Sequence, residues 1–317
     1  MASLTTLSAG FPEGVLYHRA SLPPVDYSAS FHPKVDLRKA YLSLNLRGDL
    51  GVPFGEAGVI EHVGKLNGTF VEGDILFGFS GLFNLDLILA AGLHGGIIGD
   101  KNGTQPLMMG DFLGLIFETP NRKDILGAFS DRLNSAPRPD KNYYFPQASY
   151  YQSEPGYSDI EQQRLYQLIN GKDPVARTSF LNSDAGYDYI RSLVRAGKIV
   201  PITIDLTDPE RTQLLKEHLG EQFRIALVYT SNVFFYLKLD QDFFLNPQDP
   251  VKAVRAALNN IDLLAHGNPI TIVDAGLKKP QGTQLQVYTP ARLREVHESE
   301  ISKQPPSLPG NSTGHTP

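Results

Sequence analysis

The sequence predicts an α/β fold built on a mostly parallel sheet with helices on both faces. Three observations carry the expectation. Residues 74–100 read as strand, glycine turn, apolar helix and short second strand, closing on Asp100, twenty-two residues after Gly78. From Ile199 to Asp274, apolar strands alternate with helical stretches, the rhythm of a parallel sheet covered on both faces. The residues at the strand ends, Asp100, Asp205, Ser231, Asn232 and Asp274, are polar where the strand bodies are apolar. Together these describe a Rossmann-like sheet, whose ligands bind beyond the carboxyl ends of the strands where the strand order reverses.

Taken in order, residues 1–69 form an N-terminal arm and packing segment. Residues 1–40 are rich in Ser, Pro, Tyr and His without clear periodicity, Leu37–Leu46 reads as helical, and Gly51–Gly68 is turn-rich. The Rossmann-like domain spans 70–297. Its first unit is the apolar strand ending Leu76-Phe77-Gly78-Phe79-Ser80-Gly81, then a helix from Leu82 to Ala91 closed by Gly92, then a strand ending at Asp100. Glycine lets backbone approach a ligand, the helix N-terminus offers free N–H groups, and an acidic strand tip can accept from ribose hydroxyls. Gly78-Phe79-Ser80-Gly81 lacks the third glycine of a dinucleotide fingerprint, so a plain structural β-α turn stands beside the nucleotide reading.

Further helices are expected over Leu107–Phe117, with Pro106 in the first turn, and over Arg122–Leu133. Residues 135–158 interleave four prolines with Tyr143, Tyr144, Phe145, Tyr150, Tyr151 and Tyr157, and read as an insertion that packs or binds. Helices resume over Asp159–Ile169 and Ser183–Ala196. The strand Ile199–Leu206 leads into Asp208-Pro209, a cap and first-turn proline for a helix reaching Leu219. A strand from Phe223 to Thr230 runs into Ser231-Asn232, a helix from Pro250 stops at Gly267, and a strand follows over Pro269–Asp274. Gln284–Tyr288 is a candidate edge strand, and 298–317 reads as a disordered tail.

Composition narrows the function. No apolar run approaches the roughly 18 residues of a membrane span. The first residues carry neither a basic region nor a sustained apolar core, so no secretory signal is expected. The absence of cysteine removes disulfides, thiolate catalysis and thiolate metal ligands and fits a cytoplasmic setting. A net charge of −5 without a basic tract argues against nucleic acid as the partner and leaves a small molecule. The eight histidines show no metal-ligand spacing, and no metal is expected. Neither a Gly-x-Ser-x-Gly elbow nor a Gly-x-x-x-x-Gly-Lys loop is present.

Four pieces carry a resemblance. They are Gly73-Asp74-Ile75-Leu76-Phe77-Gly78-Phe79-Ser80-Gly81 with Asp100; Arg177-Thr178-Ser179-Phe180-Leu181; Ile199-Val200-Pro201-Ile202-Thr203-Ile204-Asp205-Leu206; and Tyr229-Thr230-Ser231-Asn232-Val233-Phe234-Phe235-Tyr236-Leu237. Over residues 70–240 the chain resembles class I S-adenosylmethionine-dependent methyltransferases, more narrowly a little-characterised bacterial group of that fold. The resemblance implies that Gly78, Ser80 and Gly81 pass close to the methionine part of S-adenosylmethionine, that Asp100 holds the ribose, and that Asp205 lies by the adenine. Ser231 and Asn232 would line the site near the transferred methyl. The chain departs from the family in carrying Leu76-Phe77 where an acidic residue usually precedes the first glycine, and Phe79 stands where it could crowd the cofactor's amino-acid end. Candidate bases are Asp205, Tyr229 and Tyr144, and candidate acceptor-binding residues are Tyr143, Tyr144 and Arg177. Two alternatives stay open: a catalytically silent binding protein of the same fold, and an NAD(P)-dependent oxidoreductase in which Asp100 holds the nicotinamide cofactor's ribose. Each polar tip also has a plain reading, Asp100 as a turn former and Asp205, Ser231 and Asn232 as capping residues.

Overall fold

Six strands, β1 (Asp74–Phe79), β2 (Gly96–Asp100), β3 (Ile199–Thr203), β4 (Arg224–Ser231), β5 (Thr271–Lys278) and β6 (Gly282–Tyr288), form one sheet. Their order is β3-β2-β1-β4-β5-β6. The computed structural model describes residues 56–79, 81–101, 104–135, 157–231, 233–238, 249–278 and 282–302. β1 to β5 run parallel, and β6 returns antiparallel along β5 as the edge strand. Only three residues separate β5 from β6, too few for the crossover a parallel neighbour needs. The fold is therefore α/β and Rossmann-like, as the sequence predicts.

The sheet divides two cores. On one side Leu76, Ile98, Leu227 and Val273 meet α1 (Glu56–Gly64), α2 (Phe83–Ala91), α3 (Thr104–Glu118), α4 (Ile125–Ser135), α5 (Tyr157–Asn170) and α7 (Asp184–Arg195). On the other, Ile75, Phe77, Val200 and Val228 meet α8 (Pro209–Leu219), α9 (Val233–Lys238), α10 (Pro250–Ala265) and α11 (Pro290–Ile301). Every residue of β1 is buried, as a central strand covered on both faces requires. Burying each large aliphatic side chain contributes about 1.5–3 kcal/mol, so the two cores together supply the main driving force.

Helix starts follow local chemistry. The short α6 (Pro174–Arg177), α8, α10 and α11 open on Asp173-Pro174, Asp208-Pro209, Asp249-Pro250 and Thr289-Pro290, each first residue accepting from N–H groups of the first turn. α2 ends on Gly92 in the left-handed region, φ 68°.

The structure corrects two expectations. The turn-rich stretch before residue 70 contains α1, whose Val59, Ile60 and Val63 are buried against the first core. Its apolar spacing was masked by the glycines around it. Of the segment read as a tail from 298 onward, residues 298–301 are the last turn of α11, a helix that buries Ile301 and His297. A polar sequence hid that helix, since it shows only Leu293, His297 and Ile301 to the core. The expected helix over Leu37–Leu46, most of the 135–158 insertion and the chain beyond 302 lie outside the described residues.

At the amino edge of the sheet Asp74, 1% exposed, receives two hydrogen bonds from Arg224, Nε to Oδ1 and Nη2 to Oδ2, both 2.7 Å. The Val71 N–H adds a third at 2.9 Å. This fork ties β1 to β4 at the end opposite the candidate site.

Candidate functional site

Strand order reverses between β1 and β4. The chain leaves β1 into α2 on one face and leaves β4 into α9 on the other, which makes the carboxyl ends of these two strands the place where such a sheet binds its ligand. Gly81, Asp100, Asp205 and Ser231 are brought to this edge; Ser80, Asn232, Tyr143 and Tyr144 lie outside the described residues.

Gly78 is not in the turn but within β1, paired with Ile98 and Tyr229. The space beside its Cα is filled. A Cβ there would meet Asn84 Oδ1 at 1.8 Å, and Asn84, fully buried, donates from Nδ2 to the carbonyls of Phe79 (3.0 Å) and Gly81 (2.8 Å). Asn84 therefore locks the β1–α2 turn from inside, a role sequence reasoning missed. Its six-residue distance from Gly78 is the only signal. Phe79 does not stand in the turn: its ring lies in the second core, edge-on to Phe77 with centroids 5.1 Å apart, above Gly99.

Asp100 ends β2, half-buried, and its carbonyl accepts from the Ile204 N–H at 2.9 Å. Asp205 lies two residues past the end of β3. Its Oδ1 accepts from the Thr207 N–H (2.9 Å) and hydroxyl (2.7 Å), and its Oδ2 from Lys101 Nζ (2.7 Å). Burial pushes this carboxyl up, but the Lys101 ammonium and the two Thr207 donors outweigh it and hold the group below the ordinary value. Asp205 is thus a fixed negative charge and a weak proton acceptor. Thr203, paired with Asp100, buries its hydroxyl without a hydrogen-bond partner among the described residues.

Tyr229 is buried in the first core, its ring edge-on to Phe83 at 5.2 Å. Arg177 ends α6 and is exposed. The stretch that follows it docks the fold: Ser179 caps the turn at Phe180–Asn182, and the Phe180 N–H donates to buried Asp86 on α2 at 2.6 Å.

Ser231 takes φ 51°, a left-handed conformation that costs a residue other than glycine of order 1–3 kcal/mol. The β4–β5 register shifts between Tyr229 and Ser231, so Ser231 faces Asp274. Behind it runs a buried chain of polar groups. Thr230 Oγ1 donates to Asp274 Oδ1 (2.5 Å), His297 Nε2 lies 3.3 Å from Asp274 Oδ2, and His297 Nδ1 meets Lys238 Nζ at 2.8 Å. Lys238 also pairs with Glu300, and the His297 ring stacks on Phe234. An ammonium at Nδ1 makes that nitrogen the acceptor, while Nε2 lies near Asp274 without a well-formed hydrogen bond among the described residues. No sequence signal joined these residues, because they lie far apart along the chain and His297 sits on a helix the sequence did not predict.

The class defined here is a Rossmann-like α/β domain with Asp100 at the end of its second strand and Asp205 two residues past its third. Residues 110–251, under half of the chain, match the family described as Domain of unknown function (DUF7790). Two structures of the rRNA methyltransferase aviRa from Streptomyces viridochromogenes, at 2.4 and 1.5 Å, align with 88% of this chain and 98% of theirs, at 15% identity and a TM-score of 0.38. No curated protein matches the sequence. Among the described residues no helix is long and apolar enough to cross a membrane, and no group of three or more His, Asp or Glu is placed to hold a metal.

Proposed function

We propose that this chain is a cytoplasmic, methyltransferase-like protein of the bacterial kind its motifs resemble, binding S-adenosylmethionine along the carboxyl edge of β1 to β4 and methylating a small acceptor. What supports the reading is that Asp100, Asp205, Gly81 and Ser231 all lie at the carboxyl edge of one sheet, Gly81 and Ser231 beside its switch point. The donor set fits such a ligand. Asp100 would accept from the ribose hydroxyls, Asp205 from the adenine amino group, and the turn at Gly81 would bring backbone toward the ligand at the start of α2. The bound cofactor supplies an electrophilic methyl group.

What the chain's own residues supply is alignment. Asp205 is a weak base and Tyr229 is core-packed, so neither is assigned proton transfer. Tyr144, Tyr143 and Arg177 remain candidates for holding the acceptor. A second reading has its own support: Asn84 fills the space beside Gly78 and Lys101 bridges Asp205, as in a fold kept for binding without methyl transfer.

A thermal-shift series with S-adenosylmethionine, S-adenosylhomocysteine, NAD and NADP separates them, because a ligand held only by the native state stabilises it by about 2.7 kcal/mol at one hundred times Kd. The reading expects a rise with the adenosyl compounds alone, removed by Asp100→Ala. A flat response to all four at millimolar concentration would overturn it.

A further inference from the structure

Residues Thr230 to Lys238 carry the chain from the carboxyl end of β4 into α9. This segment is fastened at both ends to one group of side chains. At its start the Thr230 hydroxyl donates to Asp274 Oδ1 at 2.5 Å, nearer than its other acceptor, the Val273 carbonyl at 3.3 Å. At its end Lys238 Nζ meets His297 Nδ1 at 2.8 Å and pairs with Glu300. His297 Nε2, 3.3 Å from Asp274 Oδ2, brings the two fastenings together. Thr230, Asp274 and His297 are all buried. Polar groups of this kind cost more to bury than apolar side chains of similar size, so stability alone does not account for them. What they surround is local strain. Ser231, between the two fastenings, holds φ 51°, and the β4–β5 register shifts between Tyr229 and Ser231. Bulges and left-handed residues other than glycine persist where their surroundings over-determine them, and they gather at ligand sites.

We propose that Asp274 and His297 are positioning residues of the ligand edge: acting through Thr230 and Lys238, they hold the strained tip of β4 in the conformation that binds an adenosyl ligand. The inference rests on the adenosyl reading proposed above. Neither residue is assigned a contact with the ligand. Their part is preorganisation, which removes the cost of ordering the β4–α9 segment at the moment of binding. Loosening either fastening therefore costs affinity beyond what it costs in fold stability.

The test is calorimetric titration of S-adenosylhomocysteine into the full chain and into Thr230→Val, Thr230→Ser, Lys238→Met and Arg224→Met, the last at the opposite edge of the sheet. Each is measured at a temperature where it is folded, with its urea midpoint taken in parallel. Thr230→Val and Lys238→Met are each expected to weaken binding roughly tenfold, the worth of about one hydrogen bond to a charged group. Thr230→Ser keeps the hydroxyl and is expected to bind more tightly than Thr230→Val. Arg224→Met is expected to lower the midpoint and leave Kd unchanged, which calibrates what destabilisation alone does. The positioning role is overturned, with the ligand site left standing, if Thr230→Val or Lys238→Met keeps the Kd of the full chain, or if Thr230→Ser binds no better than Thr230→Val. An equal loss of affinity in Arg224→Met overturns it too. Should Lys238→Met fail to fold, the two Thr230 variants decide alone. If the full chain does not bind S-adenosylhomocysteine at millimolar concentration, the adenosyl reading falls and the inference falls with it.

Discussion

Asn84 Oδ1 occupies the position that a Cβ on Gly78 would take, 1.8 Å from it. The glycine that the sequence offered as a place for ligand approach is thus a place for approach by the protein's own α2. Its conformational freedom is not used there, since only the missing side chain matters.

Gly78→Ala is therefore expected to destabilise by about 2–5 kcal/mol, the sum of overpacking and loss of the Asn84 hydrogen bonds. Asn84→Ala alone loses those bonds without a clash. In a double-mutant cycle followed by urea denaturation, the pair should cost clearly less than the two singles added. Additivity would show that Asn84 does not fill the site of the new methyl.

Removing the guanidinium in Arg224→Met strips the carboxylate of Asp74, 1% exposed, of two charged hydrogen bonds and leaves the Val71 N–H donating to it. The expected loss is about 2–3 kcal/mol, at the low end for a broken buried pair because Arg224 is 43% exposed. It should appear as a lower urea midpoint at an unchanged slope. A change within about 0.5 kcal/mol would mean that water replaces the fork, as for an ordinary surface pair.

Asp205 is held below its ordinary carboxyl value, so the unfolded chain takes up this proton first as pH falls. The stabilisation is present above the unfolded value of about 3.9 and is lost as pH drops through the lower folded value. Asp205→Asn should accordingly be less stable than wild type at pH 7, with the gap narrowing below about pH 4. A gap that stays constant down to acid unfolding would refute the assignment.

Tyr187 is fully buried and donates its hydroxyl to the Thr119 carbonyl at 2.8 Å, and burial pushes its pKa up to about 12. Because the unfolded phenol ionises near 10, its stabilisation is complete below that pH and declines as pH rises through the folded value. Tyr187→Phe should cost about 1 kcal/mol at pH 7 and flatten the fall in melting temperature above pH 10. Melting curves of the two proteins that stay parallel across that range would contradict it.

Much of the frame is legible in the sequence itself. Asp208-Pro209, Pro250 and Gly92 mark helix ends by local chemistry, and they stand where expected. The apolar strand β1 and the β-α alternation gave the parallel sheet, because burial on both faces leaves a continuous apolar run. Strand tips at Asp100 and Ser231 followed from the same pattern. Helix α11 escaped because its few core-facing residues are widely spaced in a polar segment, and α1 because glycines and turn formers surround it.

What the sequence determined alone, then, was the class of fold and the edge at which polar residues gather, since periodicity and capping are local properties of the chain. Tertiary structure decided what those residues touch. Asn84 against Gly78, Lys101 on Asp205, and His297 between Asp274 and Lys238 each join residues from different elements, or from the two ends of one turn. Such pairings depend on register, twist and the angle at which helices lie on the sheet. Those quantities arise only when distant segments pack, and no local pattern encodes them.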